Sequence, residues 1–565
     1  MKNLPIGVED YLNAQQLCYV DKTLFIKDII DFGLYKSMLF TRPRRFGKSL
    51  NLSMLEYFFS NSGDFGYAFK DKKIFKEDKK YREYLNNYPV IRLNLKDIYS
   101  PSFDGMTTLI KQTISEQYIK FNFLENSDKL TDYEKSEYKK IASMNADDIE
   151  YYITSVKKLS LYLYKQFNKK VIILIDEYDS PIEQAYECGY YDQALMFFKR
   201  FYSNTLKGNE NVLFSVITGV LEISKESLYS GLNNPVVISV YSKDFSQYFG
   251  FTTEEVTELL EKFNIKEDIN NLRKYYGGYG SSEIEIFNPW SILNYINEEV
   301  YRNYWVNTGT TSILGNIISN IGLNGDELFT EFINANTPLE LDPTINFQDL
   351  NNVKSIYSYL VQLGYLVART EDFNSYRIFI PNEEIRGIFQ KEVIGRNVNK
   401  ELVPVTLSLK EALKNGDVNK ITEILNKYIL DSYSYYDLKQ EKDYQNIITG
   451  ILSVVFDDYV TKSEVNSKLG RCDIMISPKK ENDIGIIIEI KKYNNSLSNK
   501  RLKNYALKAI EQIKTNRYYN ELFIRKCNKI LLYGFVFDDK KFSAENEIIK
   551  NWLKYAHYVS ACTVS

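Results

Sequence analysis

Short apolar runs alternate with helical patterns along the first half of the chain. The apolar runs are "SMLF" at 37–40, "PVIRLNL" at 89–95, "VIILI" at 171–175 and "VLFSVIT" at 212–218. Strands covered by helices on both faces read as continuous apolar runs, and such strands form parallel sheets. Residues 1–280 are therefore predicted to form an α/β domain around a buried, mostly parallel sheet.

The pattern changes twice beyond residue 280. Residues 281–403 contain "WSILNYINEEV" and "SIYSYLVQLGYLV" and close with "SYRIFIPNEEIRGIF", which predicts a helical or winged-helix-like connector. Residues 404–565 begin with two helical patterns. They continue with strands at 472–477 and 484–492, a helix at 500–519 and a buried strand at 529–538. This last part is predicted to be a second α/β domain.

One apolar strand of the last domain carries charge. In "GRCDIMISPKKENDIGIIIEIKK" at 470–492, Glu489 interrupts an apolar run, Lys491 follows it, and Asp473 precedes it by sixteen residues. An ionised carboxylate in an apolar setting is costly unless it is paired or binds a metal. Glu489 is therefore either a structural exception or a ligand.

The histidine content narrows the chemistry that the chain can support. Its single histidine, His557, lies close to the C-terminus. Catalysis by Ser-His-Asp or Cys-His groups and multi-histidine metal sites are therefore disfavoured. The chemistry is expected to use carboxylates, lysine, arginine and hydroxyls, with Mg²⁺ or Mn²⁺ as the metal.

Length, charge and cysteine spacing set further bounds. A chain of 565 residues is longer than a single hydrophobic core can organise. Three domains are therefore expected, at 1–280, 281–403 and 404–565. A net charge of −3 means that nucleic-acid binding must come from local patches. The five cysteines lie too far apart for a disulfide ladder or a paired-cysteine zinc site. Glu9 and Asp10 stand where a signal peptide would be apolar, and no run is long enough for a membrane span. We expect a cytoplasmic protein without a membrane partner.

A basic, glycine-containing loop follows the first predicted strand. The sequence "TRPRRFGKSLNLSML" opens an amphipathic helix, which is where a phosphate-binding loop belongs. The expected nucleotide contacts are Arg42, Arg44, Arg45, Gly47, Lys48 and Ser49. Arg42 stands where the full motif has a glycine. Backbone N–H groups, the Lys48 charge and a Mg²⁺ ion on Ser49 would bind the phosphates. The alternative is a basic turn that caps a helix.

A second motif supports the nucleotide interpretation. The strand 171–175 runs into Asp176 and Glu177, the arrangement in which the first carboxylate holds Mg²⁺ and the second orients a water toward the γ-phosphate. Thr218 ends the next apolar strand and could sense that phosphate, or could be a simple strand-end turn. The order of the two motifs predicts ATP as a cofactor.

The C-terminal carboxylates predict a second site. If strands 472–477 and 484–492 are antiparallel neighbours, Asp473 and Glu489 converge, and Lys491 shares a face with Glu489. The two carboxylates would bind Mg²⁺ or Mn²⁺, and Lys491 would stabilise charge on a phosphate. The alternative is a hairpin with a solvated charge pair. Five basic residues between 491 and 503, the approach acid Glu464 and the nearby Gln512 favour a nucleic-acid site.

The N-terminal motifs resemble a known family. They are "YVDKT", "RPRRFGKS", "LIDEYDSPI", "TGVLEISKESLYSGLNN", "YYGGYG", "FNPWSILNYI" and "YWVNTG", and they are similar to those of the AAA-ATPase-like domain family of bacterial and mobile-element proteins. The resemblance implies a P-loop fold that binds ATP. Glu222 stands where an arginine or another residue is common in that family. Whether ATP is hydrolysed, only bound, or neither stays open.

The C-terminal motifs resemble those of the PD-(D/E)XK nuclease superfamily. Members of the AAA-ATPase-like family usually carry a C-terminal domain of that superfamily. The motifs are "EKDYQ", "SEVNSKLGRCDIMI", "IGIIIEIKK" and "AIEQIKTNRYY". The resemblance implies a restriction-endonuclease-like α/β fold, Glu441 or Glu464 as an additional acidic ligand, and Gln512 as a supporting residue. Position 445, often histidine in that superfamily, is glutamine here.

Three functional hypotheses follow from these residues. The leading one is an ATPase-like domain joined to a Mg²⁺-dependent nuclease that cleaves nucleic acid, with DNA as the expected substrate, gated by ATP. The second is a nucleotide-gated nucleic-acid-binding or signalling module without turnover at either centre. The third is a structural adaptor that has lost its sites. The oligomeric state stays open.

Overall fold

The computed structural model describes most of the chain and divides it into two compact units. The described residues are 2–34, 36–224, 235–280, 283–305, 339–349, 353–372, 375–388, 403–426, 441–456, 459–467, 470–478, 483–493, 497–524, 527–538 and 541–549. Those up to Gly387 belong to the first unit, and those from Ile388 onward belong to the second. In the described part of the chain, no helix has both the length and the apolar character that crossing a bilayer requires.

The first unit contains the helices α1 Tyr11–Gln15, α2 Leu24–Gly33, α3 Lys48–Phe59, α4 Lys73–Lys76, α5 Phe103–Lys120, α6 Asp132–Ala142, α7 Glu150–Ile153, α8 Ser155–Phe167, α9 Ser180–Glu187, α10 Tyr191–Leu206, α11 Thr253–Lys262, α12 Ile269–Tyr276, α13 Pro289–Glu298 and α14 Val353–Leu363. Its strands are β1 Ser37–Thr41, β2 Val90–Asn94, β3 Val171–Asp176, β4 Val212–Gly219, β5 Val236–Ile238, β6 Phe251–Thr252, β7 Tyr279–Gly280, β8 Glu285–Phe287, β9 Leu339–Glu340, β10 Val367–Asp372 and β11 Ser375–Phe379. Residues 383–388 are also helical.

The main sheet of the first unit is parallel throughout. Its strand order is β2-β3-β4-β1-β5. Strand β3 is buried along its whole length, as the apolar run predicted. The register pairs Thr41 with Gly219 and Ile175 with Ile217, so the carboxyl ends of β1, β3 and β4 share one edge. Ligands of open parallel sheets bind at that edge. The predicted parallel α/β fold is confirmed.

The remaining strands of the first unit form two small antiparallel sheets. Their orders are β6-β8-β7 and β10-β11-β9. Helix α14 precedes the β10–β11 hairpin, in the part predicted to be a helical or winged-helix-like connector. The described connector residues up to Gly387 group with the first unit. The boundaries drawn at 280 and 403 stay predictions.

The second unit is built on a mixed sheet. Its helices are α15 Val403–Asn415, α16 Val418–Leu425, α17 Glu441–Val455, α18 Asn499–Thr515 and α19 Asn520–Ile524. Its strands are β12 Tyr459–Ser467, β13 Gly470–Pro478, β14 Ile484–Tyr493, β15 Lys529–Asp538 and β16 Lys541–Ile549, paired in that order. Only the β14–β15 pair among these is parallel. The predicted second α/β domain is confirmed.

Both faces of β14 are covered, which explains its apolar run. Ile486 and Ile488 belong to a core that includes Leu452 of α17. Ile487 belongs to a second core that includes Ile513 of α18. A strand between two helical layers needs apolar residues at every position, rather than at alternate ones. Any charged residue in such a strand therefore stands out.

Candidate functional site

The first candidate site is the loop that joins Thr41 at the end of β1 to Lys48 at the start of α3. Arg45 and Gly47 have positive φ angles, 70° and 84°. Gly47 precedes the helix in the left-handed conformation, which glycine adopts without steric cost. The loop thus ends at a helix N-terminus, where free backbone N–H groups favour a phosphate.

Arg42 lies at the base of this loop with a buried side chain. Its Nη1 donates to the carbonyls of Thr41 and Ile238 at 2.9 and 3.0 Å, and its backbone N–H donates to Gly219 at 3.0 Å. Burial lowers the pKa of Arg42 to about 9. The side chain therefore fastens the loop to β5, while its buried Nη2 has no hydrogen-bond partner among the described residues. The phosphate contact of Arg42 stays a prediction.

Arg44 contacts an acid and a tryptophan, and Arg45 contacts a second tryptophan. Arg44 Nη2 lies 3.4 Å from Oε2 of Glu183, and the Arg44 carbonyl accepts from Trp305 Nε1 at 3.2 Å. The exposed Arg45 guanidinium lies over the Trp290 ring, 4.4 Å from its centroid. Unlike Arg42, both side chains can reach a ligand from the solvent side.

The structure brings Lys48 of the phosphate loop close to Glu177 of the Asp-Glu motif. The Lys48 ammonium is buried and donates to the carbonyls of Arg42 and Pro43 at 3.2 and 3.3 Å. It also lies 3.5 Å from Oε1 of Glu177, which directly follows β3. The lysine thus bridges the loop and the end of β3.

Asp176, the last residue of β3, is a buried acid at this edge of the sheet. Thr218 on β4 donates to its Oδ1 at 2.6 Å. Burial, followed by the charge of Glu177, raises the pKa of Asp176, and hydrogen bonds from Thr218 and Ser49 act against that rise. Carboxylate and hydroxyl oxygens are the ligands that Mg²⁺ prefers, so Asp176 and Ser49 fit such an ion. Thr218 holds Asp176 in place.

The second candidate site lies where β13 and β14 pair. The antiparallel register joins Ile474 to Ile488, and its continuation sets Asp473 opposite Glu489. Oδ2 of Asp473 accepts from the Ile490 N–H at 2.7 Å. Burial, followed by the charge of Asp473, raises the pKa of Glu489 to about 7. The two predicted carboxylates therefore converge.

Two side chains hold one oxygen of Glu489. Lys491 Nζ lies 3.0 Å from Oε1, and Gln512 of α18 donates to the same oxygen at 2.5 Å. Oε2 of Glu489 is buried and has no hydrogen-bond partner among the described residues. Glu489 thus keeps one oxygen for a further ligand.

Helix α17 supplies two more contacts. Glu441 accepts from the Lys492 N–H at 3.2 Å, and its other oxygen lies 3.5 Å from Lys491 Nζ. Gln445, at the position where the superfamily often has histidine, donates to the main-chain carbonyl of Asp473 at 3.1 Å. Both residues thus hold the two strands that carry the acids.

Glu464 lies on β12 between Ser463 and Val465, which pair with Ile474 and Cys472. The side chain of Glu464 lies outside the part of the chain that the structure describes, so its role as a ligand stays a prediction. The basic run beyond β14 is exposed at the start of α18, at Lys500, Arg501 and Lys503.

The sequence of each candidate site matches a family model. Residues 5–229 match a family described as predicted AAA-ATPase. Residues 439–547 match the PD-(D/E)XK nuclease superfamily. The chain carries an AAA-ATPase-like domain and a PD-(D/E)XK nuclease-superfamily domain. It is also similar to an uncharacterized protein in the vnfD 5' region of Azotobacter chroococcum mcd 1, with 25% identity over 407 residues and 70% of each chain covered.

The acids of the nuclease-superfamily domain fit a divalent cation. No group of three or more His, Cys, Asp or Glu side chains in the described ranges is arranged to hold a metal ion. Asp473 and Glu489 nevertheless offer carboxylate oxygens, and one oxygen of Glu489 is buried without a hydrogen-bond partner in the part of the chain that the structure describes. Mg²⁺ keeps several waters and needs only one or two carboxylates. This donor set therefore suits Mg²⁺ or Mn²⁺.

Sequence reasoning missed an acid of the AAA-ATPase-like domain. Asp179 is buried, and its Oδ2 accepts from the N–H groups of Val220 and Leu221 at 2.9 and 2.7 Å. Burial, followed by the charges of Glu177 and Glu183, raises the pKa of Asp179 to about 7. The signal was a third acid in "LIDEYD", three residues after Asp176.

Proposed function

We propose that this protein cleaves phosphodiester bonds of nucleic acid, with DNA as the substrate, in its nuclease-superfamily domain, and that ATP bound in its AAA-ATPase-like domain gates the cleavage. The observation that carries the proposal is the convergence of Asp473 and Glu489, with Lys491 Nζ 3.0 Å from Glu489. A phosphodiesterase without histidine needs such a set of acids and a cation.

Asp473 and Glu489 would hold Mg²⁺ or Mn²⁺, which when bound polarises the phosphate and the attacking water. Gln512 and Lys491 occupy Oε1 of Glu489, so Oε2, which has no hydrogen-bond partner among the described residues, would be left for the ion. The Ile490 N–H fixes the Asp473 carboxylate in the same way. Protein donors therefore orient both carboxylates, and such support is what metal ligands need.

Lys491 acts on the phosphate as an ammonium. Burial alone would lower the pKa of Lys491, but the charges of Glu489, Glu441 and Asp473 outweigh burial and raise that pKa. Lys491 therefore stays protonated at neutral pH and can donate to the charge that develops on the phosphate oxygens. Glu441 limits the motion of Lys491 and does not need to touch the ion.

The full chain with supercoiled DNA, linear DNA and RNA tests this activity. Each substrate is incubated with Mg²⁺, with Mn²⁺ and with EDTA, in the presence and absence of ATP. Cleavage that needs a divalent ion and changes with ATP is expected. A protein that cuts none of these substrates in any of these conditions contradicts the proposal.

ATP with Mg²⁺ is the proposed ligand of the phosphate loop. The helix N-terminus at Gly47 and the Lys48 ammonium would bind the β- and γ-phosphates, while Ser49 and Asp176 would hold Mg²⁺. Glu177 would orient the water that attacks the γ-phosphate. Lys48→Ala is expected to weaken ATP binding more than tenfold in a calorimetric titration.

A second candidate function is nucleotide-gated binding of nucleic acid without turnover. It is favoured by the 3.5 Å approach of Lys48 Nζ to Glu177, since a glutamate that pairs with lysine is a poor base for water. Phosphate release separates the two functions. Tight ATP binding without release over many hours favours the gated binding module, and release that Glu177→Gln abolishes favours the ATPase.

A further inference from the structure

Arg44 of the phosphate loop contacts two residues that lie far from it in the sequence, Glu183 and Trp305. Its carbonyl accepts from Trp305 Nε1 at 3.2 Å, and its guanidinium lies 3.4 Å from Glu183 Oε2. Glu183 Oε1 accepts from the Tyr359 hydroxyl of α14 at 2.8 Å. A chain of contacts therefore runs from a loop arginine through one carboxylate to helix α14.

The residues that form this series of contacts differ in burial. The Arg44 side chain is 34% exposed, whereas that of Glu183 is 10% exposed. Burial raises the pKa of Glu183, and the charge of Arg44 and the hydrogen bond from Tyr359 act against the rise. An ion pair of this length with one partner in solvent is weak, so a phosphate can compete for the guanidinium. The hydrogen bond from the Tyr359 hydroxyl to Glu183 is buried, so it is kept when a phosphate binds Arg44.

Helix α14 also touches the other parts of the nucleotide site. Gln362 Oε1 accepts from the Glu222 N–H, just beyond β4, at 2.6 Å. A Cβ added to Gly364, directly after α14, would lie 2.8 Å from Cβ of Pro43 in the phosphate loop. The helix is therefore packed against the loop and against the end of β4, as well as against Glu183.

We propose that Glu183 and Tyr359 are positioning residues through which helix α14 responds to nucleotide bound at the phosphate loop. The inference rests on the proposed ATP binding. Phosphate draws Arg44 away from Glu183, and the carboxylate keeps its hydrogen bond from Tyr359. Because Tyr359 lies on α14, the hydrogen bonding of that helix changes with the occupancy of the loop.

A double-mutant cycle on the full chain tests the competition. ATP affinity with Mg²⁺ is measured by calorimetry for wild type, Glu183→Gln, Arg44→Gln and the double variant. Glutamine can still accept from Tyr359, but it no longer attracts Arg44. Glu183→Gln is expected to tighten ATP binding up to about fivefold, the range of a half-exposed ion pair, and to have no effect in the Arg44→Gln background. Glu187→Gln removes an exposed charge from the same helix and is the matched control.

The response of α14 is measured by hydrogen exchange of residues 353–363 with and without ATP. Wild type is expected to change its exchange on adding ATP, and Tyr359→Phe is expected to lose this change while its ATP affinity stays within about twofold of wild type, since one hydrogen bond outside the loop is removed. A change that persists in Tyr359→Phe overturns the inference. The inference is also overturned if Glu183→Gln does not tighten ATP binding, or if it tightens ATP binding equally in the Arg44→Gln background. The same holds if Glu187→Gln tightens ATP binding as much as Glu183→Gln does.

The outcomes also separate this inference from the proposed function. If wild type does not bind ATP at all, the proposed nucleotide function fails, and the inference fails with it. If wild type binds ATP but the cycle shows no coupling between Arg44 and Glu183, the inference alone fails.

Discussion

Lys491 Nζ lies 3.0 Å from Oε1 of Glu489, and both side chains leave the same face of strand β14. This relationship explains why a strand enclosed by two helical layers carries a carboxylate. Burial and the neighbouring Asp473 raise the pKa of Glu489 to about 7, and the Lys491 charge acts against them. A divalent ion on the free oxygen of Glu489 would offset the same cost.

Replacing Lys491 tests the role of its charge. Lys491→Gln is expected to lower kcat for cleavage about 100-fold or more, because a donor to the developing phosphate charge is lost. Lys492→Gln is the matched control, since Glu441 contacts the backbone N–H of that residue, which the substitution retains. Equal losses in the two variants would indicate a general effect of charge on substrate binding.

Replacing Gln512 tests the support of Glu489. Gln512→Leu removes the donor to Oε1, so the carboxylate is oriented less well, and Mn²⁺ affinity is expected to fall about 10- to 100-fold. Calorimetric titration with Mn²⁺ measures this directly. Glu511→Gln alters the exposed neighbour on the same helix and should bind Mn²⁺ as wild type does. Unchanged affinity in Gln512→Leu would contradict the role.

Arg42 is expected to act on stability rather than on nucleotide binding. Arg42→Ala removes the hydrogen bonds to Thr41 and Ile238 and leaves a cavity, so unfolding of the first unit should become easier by about 2 kcal/mol. ATP affinity is expected to fall less than in Lys48→Ala. Urea unfolding and ATP titration of both variants measure the contrast, and a larger affinity loss in Arg42→Ala would contradict it.

Glu384 predicts a pH dependence of stability. Its carboxylate accepts from Ser291 and from the Trp305 N–H, and burial still raises its pKa from 4.5 to about 7. Between these two values the folded protein binds a proton that the unfolded chain has released. The free energy of unfolding therefore falls as pH rises through this window, by about 3 kcal/mol in total.

Glu384→Gln should remove most of that pH dependence, because glutamine cannot ionise. Urea unfolding at several pH values between 4.5 and 7.5 measures it for both proteins. Glu383→Gln, a partly exposed neighbour, is the control. If the free energy of unfolding depended on pH in the same way for wild type and Glu384→Gln, burial would not govern this carboxylate.

The sequence predicted the fold and the main acids because both depend on local patterns. Apolar runs identified β3 and β14, and the alternation along a strand placed Glu489 and Lys491 on one face. The antiparallel pairing that brings Asp473 to Glu489 followed from a short connection between two strands. The order of the two motifs predicted that the phosphate loop and the Asp-Glu pair belong to one site, but it did not predict the contact of Lys48 with Glu177.

The sequence did not predict the contacts that depend on tertiary packing. Gln445 reaches the Asp473 carbonyl from a helix that is distant in the chain. Tyr359 reaches Glu183 across 176 positions. Arg42 was predicted to contact phosphate because it belongs to a basic loop, and the sequence did not predict that its Nη1 also donates to the carbonyls of Thr41 and Ile238. Its burial follows from the approach of β5.

The comparison of wild type with Asp473→Asn in a DNA cleavage assay with Mn²⁺ tests the central claim most directly. Asparagine can still accept from the Ile490 N–H, so the strand pair should keep its structure, while the charge that binds the ion is lost. We predict that wild type cuts DNA and that Asp473→Asn, with an unchanged circular dichroism spectrum, does so at least about 1,000-fold more slowly, as when a residue essential to the chemistry is removed. Equal cleavage by the two proteins would contradict the account.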